Sequence, residues 1–299
     1  MSDKLTNSID HLWRTLVIGV PYLWLTIFFL TPIAFVFKIS LSDPIIGQPP
    51  FTPLLELAEN ATLSFQGTLD NYRFLFEDDL YWVSYLNSVK VAAISTIICL
   101  LIGYPMGYGI ACAKGGIRGL LLLLVILPFW TSFLLRVYAW MGMLSTHGVI
   151  NSFLINIGLI NQPLKLLYTD LAVYIGIVYT YLPFMILPLY ANLERLDITL
   201  NEAAADLGSR PLRTFIDITL PMSLPGIVAG SLLVFIPALG EFVIPALLGG
   251  LDSLMIGRTL YDEFFQNRDW PLASAVATVL LLILVIPIMI FQKYRSEQV

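Results

Sequence analysis

Two ionisable side chains, Arg136 and Glu241, stand inside long apolar segments of the sequence. A charge in the hydrocarbon layer of a membrane is costly, so such residues usually have a partner or a function. Each lies 17 residues beyond the predicted start of its segment, at Gly119 and Leu224, or about 26 Å along a helix. Two interpretations remain open. The residues form an ion pair between two helices, or Glu241 receives a cationic ligand while Arg136 sets its charge or gates it.

Aromatic residues accompany these two positions. Their rings could contact an alkylammonium group through cation–π interactions. The candidates are Tyr138, Trp140, Tyr179, Tyr181 and Phe184. For each ring taken alone, packing in the core is the competing interpretation.

The sequence carries none of the motifs expected of a self-sufficient enzyme. It has no His-Glu-x-x-His or Gly-x-Ser-x-Gly pattern, and it has only two histidines and two cysteines. It also lacks the Gly-x-x-x-x-Gly-Lys-Ser/Thr loop that would cradle the phosphates of ATP. We therefore expect no catalytic residue, no metal site and no cofactor bound by this chain.

The elements that must position these residues are transmembrane helices. Of the 299 residues, 58% are hydrophobic and 12% are charged, whereas about 25% are charged in a soluble domain. A helix needs about 20 apolar residues to cross the hydrocarbon core. The sequence therefore predicts an all-α integral membrane protein with six transmembrane helices, at 17–38, 88–113, 119–143, 171–193, 224–248 and 272–292.

The basic residues predict the orientation of these helices. An even number of spans puts both termini on one side, where nine basic residues fall, against six in or beside the longer opposite loops. The positive-inside rule then puts both termini in the cytoplasm. The predicted organisation is a cytoplasmic N-terminal segment 1–16, a transmembrane domain 17–292 with a cytoplasmic loop 194–223, and a cytoplasmic tail 293–299.

The cytoplasmic loop contains strong helix signals. Thr199 and Glu202 have the spacing of a capping box, with Thr199 as the N-cap. Gly208 follows where a left-handed C-terminal cap is expected. Ser209 can cap a second helix, with Pro211 in its first turn. The pattern predicts two short amphipathic helices joined by a glycine elbow, which together form a docking device for a cytoplasmic partner.

The same loop resembles the signature loop of ABC importer permeases. Glu202-Ala203-Ala204, Gly208 and Ile218-Thr219-Leu220-Pro221 stand at the family's spacing. In that family the loop is the coupling helix that sits in a cleft of the ATP-hydrolysing subunit. By this resemblance, the coupling residues are Glu202, Ala203, Ala204, Asp206, Gly208, Arg210, Leu220 and Pro221.

Three further stretches, 126–144, 241–250 and 267–275, look like the permeases of polyamine importers, most closely the putrescine permeases. The resemblance implies a type I ABC importer permease fold in the bacterial cytoplasmic (inner) membrane. It also implies a second, different permease, two ATP-binding subunits that hold ATP and Mg²⁺, a periplasmic polyamine-binding protein, and a polyamine as cargo. Membrane lipid is a further expected partner. No nucleic acid is expected.

Two alternatives remain. Related permeases move other cargoes with the same loop, so spermidine or another small solute is possible. An ion-coupled secondary transporter would use carboxylates inside its spans, but only Glu241 is a clear candidate, and the loop 199–220 would then have no purpose. The preferred mechanism is alternating access, in which that loop acts as a rigid lever.

Overall fold

The computed structural model describes residues 16–57, 63–65, 67–250 and 253–296. Nearly all of the predicted N-terminal segment 1–16 and the end of the predicted tail, 297–299, lie outside these ranges. The described residues are mostly helical, which confirms the predicted fold class. The helices are α1 (Leu16–Ser40), α2 (Asp70–Glu77), α3 (Asp79–Cys112), α4 (Gly116–Ile126), α5 (Phe133–Leu144), α6 (Val149–Asn156), α7 (Asp170–Leu193), α8 (Ile198–Asp206), α9 (Pro211–Leu239), α10 (Val243–Leu248), α11 (Ile256–Tyr261) and α12 (Trp270–Ser296).

The chain divides into two compact units. One unit contains the described residues up to 78 together with 262–282, and the other contains 79–261 with the described part of 283–299. In the first unit, β1 (Leu55–Leu57) pairs antiparallel with β2 (Leu63–Phe65) in the predicted loop after α1. The second unit holds the candidate functional residues.

Within the described residues, five helices are long and apolar enough to cross a bilayer, and one bent pair would supply a sixth span. The five are Leu16–Ser40, Asp79–Cys112, Asp170–Leu193, Pro211–Leu239 and Trp270–Met289. The second of them begins nine residues before the predicted span 88–113, because apolar periodicity continues through Tyr81 and Tyr85, which are buried.

The predicted third span 119–143 is interrupted in the structure. Helix α4 passes into a 3₁₀ turn, Leu127–Trp130, and the chain then bends by 91° before it continues from Phe133. Proline at 128 has no N–H to donate to the preceding turn. Thr131 and Ser132 then take extended backbone angles, so the helix cannot continue through them.

The predicted fifth span 224–248 is divided differently. Helix α9 begins earlier, at Pro211, and ends at Leu239, and α10 follows after a break at residues 240–242. Arg136 and Glu241 therefore do not lie on straight helices that start at Gly119 and Leu224. The depth estimated by counting residues does not apply to either of them.

Helices α3, α7 and α9 pack closely because glycines replace side chains where they meet. A Cβ added to Gly103 of α3 would lie 3.0 Å from Met185 of α7, and one added to Gly230 of α9 would lie 2.8 Å from the sulfur of the same residue. Small residues of this kind permit close helix approach in membranes. Cys99, Met185, Leu189, Leu193 and Val234 form the buried cluster among these helices.

Candidate functional site

The predicted cytoplasmic loop 194–223 contains α8, but the N-cap of this helix differs from the prediction. Asp197 is the N-cap, and its carboxylate accepts a hydrogen bond from the N–H of Thr199 at 3.0 Å. That N–H is the group that Glu202 would have bound in the predicted capping box. Because the backbone hydrogen bond stabilises the ionised form, the pKa of Asp197 is lowered.

The predicted left-handed cap at Gly208 is present, with φ of 80°. The N–H of Ser209 donates to the carbonyl of Ala204 at 2.9 Å, and the N–H of Gly208 donates to that of Ala205 at 2.9 Å. This pair of bonds is the Schellman arrangement that ends many helices. A residue without a side chain suits this position because other L-residues rarely adopt a positive φ.

The second helix of the loop is not a separate short helix. Arg210 rather than Ser209 is its N-cap, and it makes no side-chain cap hydrogen bond. Pro211 then occupies the first turn, and α9 runs from there into the membrane through a π-helical turn, Phe215–Thr219. The loop and the fifth span are therefore joined by continuous helix.

The surface of the loop is rich in exposed apolar side chains. The exposed fractions are 89% for Leu207 and 72% for Leu212. The apolar face predicted for the first helix consists of Leu200, Ala203, Ala204 and Leu207, of which Ala204 is buried and the others are exposed. All three charged residues of the predicted coupling set, Glu202, Asp206 and Arg210, are exposed, and so is Gly208. Ala203 and Pro221 are also exposed, and Leu220 is half-buried.

Four residues of the predicted ligand path meet at a second place, a cavity of about 500 Å³. They are Arg136, Tyr181, Phe184 and Glu241. The sequence analysis did not select the other lining residues, which are Phe129, Phe133, Thr180, Pro237, Gly240, Phe242 and Val243. The break in α9 beside Pro237 and Gly240, and the bend after Pro128, bring them together.

Glu241 is buried in the wall of this cavity and is hydrogen-bonded on both carboxylate oxygens. The hydroxyl of Tyr181 donates to Oε2 at 2.5 Å. The N–H groups of Val243 and Ile244 donate to Oε1 at 3.0 and 3.3 Å. Glu241 thus accepts hydrogen bonds from N–H groups that have no carbonyl partner within α10. Backbone dipoles at the start of a helix favour a negative charge.

Arg136 lies in the same cavity but does not pair with Glu241. No ion pair within 4.0 Å joins these two described residues, and Nε and Nη1 of Arg136 are buried without a hydrogen-bond partner. The guanidinium carbon instead lies 5.5 Å from the ring centre of Phe129 and 5.9 Å from that of Phe133. Cation–π contacts of this kind partly compensate for lost hydration. The predicted ion pair between two helices is not formed.

The remaining predicted aromatic residues lie outside the cavity lining. Trp140 and Tyr179 pack edge to face, with ring centres 5.5 Å apart, while Tyr138 is exposed. A signal for the missed residues was present in the sequence. Phe129 and Phe133 flank the proline-linked break that turns the chain towards Glu241.

Residues 5–297 match the protein family described as "Binding-protein-dependent transport system inner membrane component". The spermidine/putrescine transport system permease protein PotB of Haemophilus influenzae is 39% identical over 290 residues, which cover 97% of this chain and 96% of that protein. PotB of Escherichia coli K12 is 43% identical over 226 residues, covering 76% and 82%.

The molybdenum transport system permease protein ModB of Mycobacterium bovis is 33% identical over 204 residues, which cover 67% of this chain and 74% of that protein. Among solved structures, a bacterial alginate ABC transporter in complex with an alginate pentasaccharide-bound periplasmic protein contains a chain of similar fold. That chain is 17% identical, with a TM-score of 0.70 over 96% of this chain and 95% of the other. At this identity the likeness concerns the fold alone.

Proposed function

This chain belongs to the family of binding-protein-dependent transport system inner membrane components, as its motifs led us to expect, and on that premise we propose that it imports polyamines as the permease subunit of an ATP-driven transporter. The relatives named for spermidine and putrescine transport support this cargo class. We propose putrescine as the first cargo to test and spermidine as the second.

We further propose the composition and orientation of the complex. A second, different permease completes the pathway, two separate subunits bind ATP and Mg²⁺, and a periplasmic protein delivers the polyamine. Both termini lie in the cytoplasm. The exposed apolar side chains of Leu207 and Leu212 support contact between the 194–223 loop and another protein, since neighbouring exposed apolar groups often mark a protein–protein contact.

The continuity of α9 supports the mechanism that we propose. Closure of the ATPase dimer displaces the loop, and because α9 is helical from Pro211 to Leu239, the displacement reaches the spans. The pathway then opens outward, the binding protein releases its cargo, and ATP hydrolysis restores the inward-facing state. This is alternating access, driven by ATP that another chain hydrolyses.

The observation that carries the cargo proposal is the Glu241 carboxylate in an aromatic-lined cavity. Its oxygens are oriented by Tyr181 and by the start of α10, so the carboxylate is held in place without an ion pair to any residue in the described part of the chain. An ammonium group can approach it beside the ring of Phe184. The guanidinium of Arg136 is held apart on Phe129 and Phe133, and it acts on the cargo as a like charge that limits how tightly the cargo binds.

The test is uptake of labelled putrescine and spermidine by cells that lack other polyamine import and carry the complete operon. We expect wild type to import polyamine, and Glu241→Gln to import at least tenfold less, because one paired charge contributes about 1.5–3 kcal/mol. Glu77→Gln, at an exposed carboxylate of α2, is the matched control and should import normally. Assembly and ATPase activity are measured in every variant.

Each failure has a defined meaning. Normal import by Glu241→Gln would show that the cavity does not receive the cargo. No polyamine import by wild type would overturn the cargo class. Nε and Nη1 of Arg136, which lack a hydrogen-bond partner, then favour an anionic solute as the second candidate, and competition by molybdate or sulfate would test it.

A further inference from the structure

Phe215 lies between two tyrosines of α3 at the point where the cytoplasmic loop becomes a transmembrane helix. Its ring centre is 5.6 Å from that of Tyr104 and 6.3 Å from that of Tyr108, and both pairs are perpendicular. Edge-to-face packing at these distances is the favoured geometry for aromatic pairs. We call these three residues the aromatic seat.

Tyr104 of the seat makes one contact at the start of a π-helical turn of α9 and another beyond its end. The turn Phe215–Thr219 starts at the seated ring. Beyond it, Ser223 donates its hydroxyl hydrogen to the carbonyl of Leu220 at 2.8 Å. The 2.9 Å bond between Ser223 and Tyr104 must therefore be donated by the tyrosine hydroxyl. Since π turns are rare and are often found at functional sites, two contacts to one tyrosine across this turn suggest a mechanical role.

The two tyrosines flank a weak point of α3. Pro105 lies between them and cannot donate a backbone hydrogen bond, so the helix can bend there. On the side of α3 that faces α7, a Cβ at Gly103 would lie 3.0 Å from Met185 and one at Gly107 would lie 3.3 Å from Leu189. Near Pro105, α3 therefore contacts α9 through the aromatic rings of the seat and contacts α7 through close packing at its glycines.

We infer that the aromatic seat passes the displacement of the cytoplasmic loop from α9 to α3 at Pro105. This inference rests on the proposed function, in which the loop is moved by an ATPase. Without the seat, the π turn would absorb part of the movement of Pro211–Thr214, and the spans would follow less completely. Phe215 and Tyr104 are in this sense positioning residues for transport.

The experiment uses the complete importer, with its second permease, ATPase subunits and binding protein, reconstituted in liposomes. Labelled putrescine or spermidine imported is measured per ATP hydrolysed. Phe215→Leu keeps an apolar side chain but removes both ring pairs. Losing one aromatic pair shifts an equilibrium by a factor of about two to twelve, so we expect import per ATP to fall about three- to tenfold.

Two further variants separate a positioning role from a merely structural one. Phe215→Tyr restores the ring and should restore import per ATP. Ile216→Leu alters the exposed neighbour in the same π turn and should leave it unchanged. A structural defect alone would lower the amount of assembled complex without changing the ratio of import to hydrolysis.

Tyr104→Phe keeps the ring and removes only the hydrogen bond to Ser223, so it tests the seat even if Phe215→Leu fails to assemble. We expect import per ATP to fall about twofold to fivefold, as for one lost hydrogen bond. A wild-type ratio in either assembled variant overturns the inference. If wild type itself imports no polyamine, the proposed function fails and this inference falls with it.

Discussion

Glu241 performs two tasks with one carboxylate. One oxygen binds the N–H groups at the start of α10, and the other accepts the hydroxyl of Tyr181. Those bonds compensate for the cost of burying the charge. They also fix the direction in which the carboxylate faces the cavity, which is what a binding group requires. A structural contact and a binding role are therefore compatible in this residue.

A substitution at Gly208 changes the backbone conformation that is allowed there without creating a clash with a neighbouring side chain. No atom lies within 4 Å of a Cβ built on it, but its φ of 80° is left-handed. A proline cannot adopt that angle, because its ring holds φ near −65°. We expect Gly208→Pro to abolish uptake while the protein still inserts and assembles.

Gly208→Asn is the matched variant, because asparagine tolerates the left-handed region better than other residues with a side chain. It should retain most uptake. The measurement is labelled polyamine uptake, with membrane insertion followed by immunoblot. Uptake by Gly208→Pro at the wild-type rate would contradict the role assigned to the loop.

At the scale of elements, function depends on where helices stop being regular. The 3₁₀ turn that extends α4 ends at Trp130, and α9 ends at Leu239, ahead of the gap at residues 240–242 that precedes α10. Near its start, α9 contains a π turn. Two of these irregularities build the cavity and the third carries the aromatic seat. Irregular backbone inside a membrane is tolerated where protein buries it or where it lines a cavity, and Phe129 and Gly240, at the two breaks, line the cavity.

The packing of α3 on α7 yields a prediction about stability. A Cβ on Gly107 would lie 3.3 Å from that of Leu189, whereas one on Gly109, two residues further along, would meet nothing within 4 Å. Overpacking a close contact costs about 1–3 kcal/mol. We expect Gly107→Val to lower the thermal unfolding midpoint of the detergent-solubilised protein by several degrees and Gly109→Val to leave it unchanged. Equal midpoints would mean that the two helices can separate without cost.

For the molecule as a whole, the proposed orientation depends on the basic residues. The apolar helices alone would fit a bilayer equally well in either orientation. Arg118 holds two of the helix ends on one side of the bundle. It forms an ion pair with Glu194 at 2.6 Å and donates to the carbonyl of Ala113 at 3.1 Å. These contacts tie the end of α3 to the end of α7 on the side that we assign to the cytoplasm.

The native cysteines provide a test of orientation. Cys99 is buried and Cys112, at the end of α3, is exposed. In Cys99→Ser protein, we expect a membrane-impermeant maleimide to label Cys112 in inside-out vesicles and not in intact spheroplasts. A Cys99→Ser, Cys112→Ser protein that carries Ile46→Cys, at an exposed position after α1, should show the opposite pattern. Labelling of Cys112 from the outside would reverse the proposed orientation.

The sequence by itself determined the features that depend on local chemistry. Apolar runs of about 20 residues can only be stable across a bilayer as helices, so the fold class followed from composition. The left-handed turn at Gly208 followed from a residue type that suits one backbone conformation. The family followed from motifs at a particular spacing, because the 194–223 loop resembles the family's signature loop in both residue types and distances.

Only the tertiary structure decided how distant residues meet. Helix counting placed Arg136 and Glu241 at one depth, but the bend after Trp130 and the break after Leu239 created their shared cavity. The fold also keeps the two charges apart. Phe129 and Phe133 contact the guanidinium of Arg136, whereas Tyr181 binds the carboxylate of Glu241. Such outcomes depend on contacts between segments far apart in sequence, which local patterns do not encode.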